Sequence, residues 1–286
     1  MLVALGYMIA LGCIFGGYIL HGGNIKVVLD ALPAEMMVIV GGALGAFVVN
    51  NQPKVIKATL RALPHAVKSS THSKASYLEL MALLFDILQK GRKEGLMSIE
   101  KDVDEPQTST LFNKYPQIAA NLPLVEFLTD YLRMMVSGNL NAHEIEALMD
   151  SEIDTFEQEA HAPVAAVARV AAGLPAFGIV AAVLGVVNTM GSVGQPPPVL
   201  GAMIGSALVG TFLGILLAYG VVEPIGGLME QRAEDEAKKL LCIKATLLAS
   251  MQGYNPTTSI EFGRKVLFST ERPTFNEMET HVRSAR

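Results

Sequence analysis

From Val170 to Val222 not one residue carries a charge, and nothing else constrains this chain as strongly. A bilayer core accepts a helix of roughly 20 predominantly apolar residues, and this stretch holds two such lengths around the turn-forming sequence Gly194-Gln195-Pro196-Pro197-Pro198. It therefore reads as two membrane-spanning helices, Val170–Met190 and Val199–Val222, joined by a tight proline loop. A proline stands inside the first, Pro175, and another just past the second, Pro224. The polarity that exists comes from Asn188, Thr189, Ser192, Gln195, Ser206, Thr211 and Tyr219. Such a pair can line an ion path, but it cannot hold and release a proton by its own titration.

Only 17% of the 286 residues are charged, against about 25% in a typical soluble domain. Two more apolar runs supply further spans, Met1–Leu20 and the weaker Ala34–Asn50, with Glu35 at the edge of the latter. Met1–Leu20 lacks the basic start and the small-residue cleavage site of a signal peptide, so it reads as a retained helix. Of the 22 Lys and Arg, 12 lie in 51–170 and 9 after 223, with only Lys26 in the first loop and none in 192–198. Cytoplasmic loops carry the Lys/Arg excess, so both large polar segments and both termini are expected in the cytoplasm. The expected organisation is 1–50, transmembrane helices one and two; 51–169, a cytoplasmic helical domain; 170–222, transmembrane helices three and four; and 223–286, a cytoplasmic helical tail. The fold class is an all-α membrane protein with four transmembrane helices and a large helical cytoplasmic part.

Local signals place the helices. The spacing Gly12-x-x-x-Gly16 and the glycines at 41, 42 and 45 suit close helix packing. His21 reads as a cap at the end of the first span, with the outer loop ending near Pro33. Ser76 and Glu79 fit a capping box, followed by Leu80, Leu84, Ile87 and Leu88 at helical spacing, with Gly91 and Gly95 weakening and ending the helix. A helix over Leu124–Ser137 closes at Gly138, and Asn141 with Glu144 starts an acidic helix leading back to the membrane. After Val222 an amphipathic helix runs to Gly253, the stretch Asn255–Phe268 gives a short further helix, and the tail past Pro273 reads as partly disordered. Cys13 and Cys242 read as small packing residues.

The chemistry is defined by a gap. Acidic groups at membrane depth default to function, yet Glu35 and Glu223 are placed at helix edges and the span centres read as neutral. A protein moving protons through this path needs a carboxylate from a partner. Thr211 and Ser206 either coordinate water or an ion or merely bond helix to helix. Pro175 reads equally as a hinge or a static kink, and Pro224 as a hinge or a redirected chain. The segment Arg92–Glu105 concentrates charge; such runs are either solvated surface or docking groups that select a partner. No phosphate loop, zinc-protease motif or nucleophile elbow is present in the sequence. No enzyme activity, cofactor, metal site or nucleic-acid partner is expected.

Several stretches are similar to one family. GLPAFGIVAAVLGVV at 173–187, VGTFLGILLAYG at 209–220, LGYMIALGCIFGGY at 5–18, HEIEALMDSEI at 143–153, NPTTSIEFGRKVLF at 255–268 and ERP at 271–273 closely resemble the MotA family, the ion-channel-forming stator subunits of the bacterial flagellar motor. The resemblance runs from the first helix nearly to the end. It implies a homopentamer in the inner membrane around a dimer of MotB-type, single-span, peptidoglycan-binding subunits that supply the ion-carrying aspartate. Helices three and four would line the partner helices, and helices one and two would face lipid. Pro175 and Pro224 match the family's two coupling prolines. Arg92 and Glu100 match the pair that engages the rotor protein FliG, with Lys93, Lys101 and Asp102 as neighbours in that role. Ala182 stands where sodium-driven relatives carry a hydroxyl, and Thr211 matches a threonine of both types, which favours protons over sodium. One charge crossing about 100 mV yields roughly 2.3 kcal/mol, enough for a small rigid-body step of the ring. The alternatives are an energiser of the ExbB/TolQ type, for which four spans are one too many; a sodium-driven stator; a solute transporter or stand-alone channel, for which repeats and central charges are missing; and a scaffold without ion traffic.

Overall fold

A computed structural model describes residues 2–67, 73–138 and 141–284. Among them all regular structure is helical, and four helices are long and apolar enough to cross a membrane. The chain divides into two compact units, residues 1–69 with 160–231 and residues 70–159 with 232–286.

The first unit contains α1 (Leu2–Leu20), α2 (Ile25–Asn50) and α3 (Pro53–Val67), together with the later part of α8 (Ala142–Met190) and α9 (Pro197–Leu217). One wide π turn, Ala218–Val222, then leads into the start of α10 (Glu223–Met251). Met1, counted in the first expected span, lies outside the described residues. No residue of α1 is buried.

The second span differs from its expected bounds. Asn24 caps it by accepting from the Lys26 N–H at 3.0 Å, so α2 starts at Ile25 and not at Ala34, and Pro33 lies inside it. Membrane helices tolerate an interior proline because neighbouring groups satisfy the freed carbonyl. The extension moves Glu35 from a helix edge to about 15 Å along α2, at roughly 1.5 Å per residue.

Helices α8 and α9 meet backbone to backbone. A Cβ on Gly214 would lie 2.8 Å from the Leu174 carbonyl oxygen and 2.9 Å from the Gly178 Cα, and one on Gly185 would lie 2.7 Å from the Ala207 Cβ. The close-packing glycines are thus in α8 and α9. Gly12 and Gly16 face open space, as do Gly41 and Gly45, and only Gly42 of that group makes room for a neighbour, the Phe177 ring. Spacing alone shows that a helix can be approached closely; which face a partner takes depends on tertiary packing.

The second unit is organised on α4 (Lys74–Glu94), buried on almost every side through Tyr77, Leu80, Met81, Leu83, Leu84 and Ile87. Its cap is Ser73, which accepts from the Ser76 N–H, and not Ser76, because Ser76 already lies inside the helix. Gly95, at φ 87°, ends it. A 3-10 turn (Leu96–Ile99), α5 (Glu100–Asp104), a second 3-10 turn (Phe112–Lys114), α6 (Pro116–Ala119) and α7 (Leu122–Ser137) follow. Gly138, left-handed at φ 65°, closes α7 as expected. Asn141 accepts from the His143 and Glu144 N–H groups while Glu144 accepts from the Asn141 N–H, each at 2.9–3.0 Å. The later part of α10 packs into the same core. Gly263 of α11 (Pro256–Lys265) lies so close to α10 that a Cβ there would be 2.9 Å from the Cys242 carbonyl oxygen. Cys242 is fully enclosed and burial pushes its thiol up to about 12, against a smaller opposing effect of the Thr246 hydroxyl; it is a packing residue.

Among the described residues past Pro273 the tail is largely helical, where partial disorder was expected; residues 285 and 286 lie outside them. α12 (Phe275–Ser284) starts with a reciprocal cap in which Glu277 accepts from the Thr274 N–H at 2.7 Å and Thr274 accepts from the Glu277 N–H at 3.3 Å. Lys74 bonds the same carboxylate at 2.6 Å, and Met278 is 1% exposed in the core. The Lys74 ammonium, then the Thr274 donors, hold the Glu277 carboxyl down at about 2.

Overpacking a well-filled contact typically costs about 1–3 kcal/mol. Gly214→Ala is therefore expected to lower the melting temperature of the detergent-solubilised protein clearly, whereas Gly12→Ala and Gly16→Ala leave it within error. Equal effects at the three positions would refute the backbone contact.

Candidate functional site

The residues expected to form an ion path lie on α8 and α9. Ala181 and Gly210 face each other, since a Cβ on Gly210 would be 3.0 Å from the Ala181 Cβ. Ala182 and Thr211, each the next residue along, occupy the same level of the helix pair and are both half-buried. On α8 the side chains of Ile179, Val180, Val183, Leu184 and Val187 stay exposed, and on α9 those of Ile204, Leu208 and Ile215. These two spans carry no charged residue, so the surface they leave uncovered is uncharged and, Asn188 apart, largely apolar.

Glu35 lies well inside the candidate span of α2, five residues beyond Asp30, and the edge placement read for it from the sequence is corrected. Glu35 is 8% exposed, and its Oε2 finds no hydrogen-bond partner. It abuts α9 where Gly210 provides the space, since a Cβ on Gly210 would run into the carboxylate. The signal that finds it in the sequence is the Asn24 cap, which starts the helix ahead of Pro33. The span centres are therefore not all neutral, but the Val170–Val222 pair is.

The two prolines are accommodated differently. Pro175 lies within α8, half-buried, and the helix continues through it. A proline removes one backbone bond and crowds the carbonyl four residues back, which for Pro175 belongs to Ala171. Pro224 lies in the first turn of α10, directly after the π turn at Ala218–Val222. There the Glu223 N–H bonds the Ala218 carbonyl five residues back, a widening that relieves the crowding Pro224 imposes on Gly220. The Tyr7 hydroxyl donates to the Val221 carbonyl at 3.0 Å, tying α1 to the widened turn. Neither the π turn nor Tyr7 was foreseen, because hydrogen-bond registry inside an apolar run leaves no compositional mark. At the opposite end of the first span, His21 Nδ1 sits 2.9 Å from the Gly17 carbonyl oxygen, a cap as expected.

In the second unit, Arg92 and Lys93 are exposed in the last turn of α4, and Glu100 and Lys101 are exposed at the start of α5. Among the described residues none of these four forms a salt bridge. Asp102 differs. It bonds Lys90 Nζ at 2.6 Å and accepts from the Ser109 hydroxyl at 2.6 Å, and Ser109 Oγ in turn accepts from the Leu111 N–H at 3.1 Å. Asp102 thus fastens the loop behind α5 and leaves its neighbours Glu100 and Lys101 outward. Burial opposes ionisation of Asp102, but the Lys90 and Ser109 bonds, with the charges of Lys90 and Lys101, outweigh it and hold the carboxyl below its ordinary value. Arg133 similarly bonds Asp104 at 3.1 Å and the Val103 carbonyl at 3.0 Å. Among the described residues no cluster of His, Cys, Asp and Glu could hold a metal ion.

Comparison with known proteins matches residues 4–95 to the family model described as Motility protein A N-terminal and residues 119–241 to that of the MotA/TolQ/ExbB proton channel family. The chain is 47% identical over 286 residues to Motility protein A of Escherichia coli (strain K12), covering 100% of this chain and 96% of that one. It is 35% identical over 275 residues to the chemotaxis protein LafT of Vibrio parahaemolyticus, covering 96% of each. Its fold is similar to that in the structure of C. jejuni MotAB, with a TM-score of 0.77 and 22% identity over 93% of this chain and 95% of that one. It is likewise similar to the flagellar MotAB stator complex of Bacillus subtilis, with a TM-score of 0.73 and 21% identity over 97% and 98%.

The lowered Asp102 carboxyl fixes a pH dependence. Its stabilisation is complete above the ordinary value of 3.8 and is lost as pH falls through the depressed one. Asp102→Asn is expected to cost about 1–2 kcal/mol at pH 7, a deficit that shrinks towards pH 3 in melting experiments. A deficit independent of pH would contradict the charged bond.

Proposed function

The chain belongs to the MotA family, within the MotA/TolQ/ExbB proton channel family, and from that premise we propose how its two units divide the work of a flagellar stator. It is a multi-pass membrane protein and a stator subunit of the flagellar motor, not an enzyme. In the proposed arrangement several copies, five by the family resemblance, surround a dimer of MotB-type subunits in the inner membrane. Both termini lie in the cytoplasm. Residues 51–169 and 223–286 form the cytoplasmic parts, and 1–50 and 170–222 carry the spans.

The observation that carries the reading is the uncharged apolar surface that α8 and α9 leave uncovered. A neutral wall suits a partner helix that brings its own aspartate, since a second fixed charge there would compete for the proton or hold the partner too tightly. Ala182 and Thr211 shape this wall, and the absence of a hydroxyl at 182 favours protons over a dehydrated sodium ion. Glu35 is enclosed between α2 and α9 of one subunit, so exchange with both sides of the membrane falls to the partner's aspartate. Each protonation of that aspartate removes a charge from the shared path and lets the ring step by one subunit. A proton crossing about 100 mV supplies roughly 2.3 kcal/mol, which suffices for a repacking at Pro175 and Pro224 but not for unfolding. Arg92, Lys93, Glu100 and Lys101, held outward by the Asp102 and Arg133 bonds, pass the step to charged groups of FliG.

Two variants test this function together. The double reversal Arg92→Glu with Glu100→Lys is expected to abolish stator recruitment and swimming, and to be restored in part by opposite reversals in FliG. Pro175→Ala is expected to leave membrane assembly intact while sharply reducing torque in tethered cells. Unchanged recruitment by the first would remove the rotor contact, and normal torque from the second would remove the proline as a coupling element.

A further inference from the structure

Beside the proposed rotor-contact charges the cytoplasmic unit has a socket. The end of α4, the 3-10 turn after it and the α10–α11 turn enclose a cavity of about 230 Å³ lined chiefly by Leu88, Leu96, Ile99, Met135 and Tyr254. Arg92 is the one charged side chain among its described lining residues. Both rims are shaped by left-handed glycines, Gly95 at φ 87° and Gly253 at φ 90°. A third glycine, Gly91, keeps the wall open, because a Cβ there would already lie 3.3 Å from the Leu96 side chain.

The mouth is apolar as well. Leu96 is 43% exposed and Tyr254 47%. The Tyr254 ring packs at a tilt of 38°, 5.2 Å between centroids, on that of Phe262, itself 43% exposed. Large apolar groups gathered in water around a concavity mark an interaction site. The volume lies below the roughly 300–1,000 Å³ of a small-molecule pocket and suits one or two side chains. The Arg92 guanidinium in the wall has no carboxylate beside it among the described residues, so charge complementarity calls for an occupant that brings one.

We propose that this socket receives a large apolar side chain from an amphipathic helix of the rotor, with a carboxylate about one turn away meeting Arg92. The proposal rests on the rotor-docking reading and adds to it a desolvated anchor. Exposed ion pairs alone contribute only about 0–1 kcal/mol each, whereas truncating a buried anchor at an interface commonly costs 2 kcal/mol or more. The charges would then set encounter and register, and the anchor would hold the contact under load.

The test uses the full chain assembled with its MotB-type partner and purified FliG as the probe, with affinity measured across a salt series. Leu96→Ser and Tyr254→Ser are each expected to weaken FliG binding by about tenfold or more with an unchanged salt slope. Leu96→Met is expected to restore binding, and Arg92→Gln to flatten the slope. Melting curves should not move for the serine variants, since both side chains are nearly half exposed. A photo-crosslinker at position 254 should join the chain to FliG in cells. Parental affinity of both serine variants, with Arg92→Gln still weakened, would overturn the socket and leave the rotor contact standing. Indifference of all the variants would overturn both. A crosslink to a second copy of this chain would assign the socket to the ring itself and refute the rotor helix as its occupant.

Discussion

The contact on which the membrane unit depends is the approach of α8 to α9 with nothing larger than an alanine methyl between them. Gly178 and Gly214 let the backbones meet, Ala181 packs on Gly210, and Gly185 admits Ala207. In lipid there is no hydrophobic gain in bringing two helices together, so association comes from van der Waals packing, which small residues maximise. This seam fixes which faces of α8 and α9 remain uncovered, and so where, in the proposed arrangement, a partner helix would find an uncharged wall. It also opens the space at Gly210 into which the Glu35 carboxylate fits. A larger residue at any of these positions would disturb the wall through the seam without touching the path.

In the proposed coupling the prolines act on that frame from the end of the same pair. At Pro224 the helix is not broken but widened, and the strain of a missing N–H becomes a π turn with a carbonyl, that of Val221, bonded from outside by Tyr7. Such turns recur at functional sites because they offer an alternative hydrogen-bond registry at low cost. Reversion of the turn to α-helical registry would shift the following residues by one position. The step proposed for the ring, driven by roughly 2.3 kcal/mol per 100 mV, would be of the size needed for that kind of rearrangement.

Much of this was legible in the residues. The four spans follow from apolar length, the ends of α4 and α7 from Gly95 and Gly138, and the start of α8 from Asn141 and Glu144. What escaped has physical reasons. Pro33 suggested a boundary, because proline usually ends a helix in water, and that misplaced the start of α2 and with it Glu35. The order of the tail was written in Thr274 and Glu277, a capping pair at the standard spacing, but polar composition suggested disorder, and the anchoring Met278 and Lys74 act through tertiary contact. Gly12 and Gly16 carry the packing signature yet face open space, while Gly178 and Gly214, less conspicuous, make the contact. The charge cluster from Arg92 to Lys101 is visible in the sequence and exposed in the fold, while its rotor role rests on the family resemblance. The apolar socket beside it is not visible there, because Leu96, Tyr254 and Phe262 come from separate segments and only the turns at Gly95 and Gly253 bring them to one place.

In the proposed arrangement this chain supplies a neutral wall and its partner supplies the titrating group. The most direct measurement is proton flux into membrane vesicles carrying this chain alone, this chain with a MotB-type partner whose channel is unplugged, and the same pair with the partner's intramembrane aspartate changed to asparagine. Flux is expected only from the intact pair, and Glu35→Gln in this chain should leave much of it. Proton flux through this chain alone, or flux that survives loss of the partner's aspartate but disappears with Glu35→Gln, would contradict the claim and move the proton-carrying group onto α2.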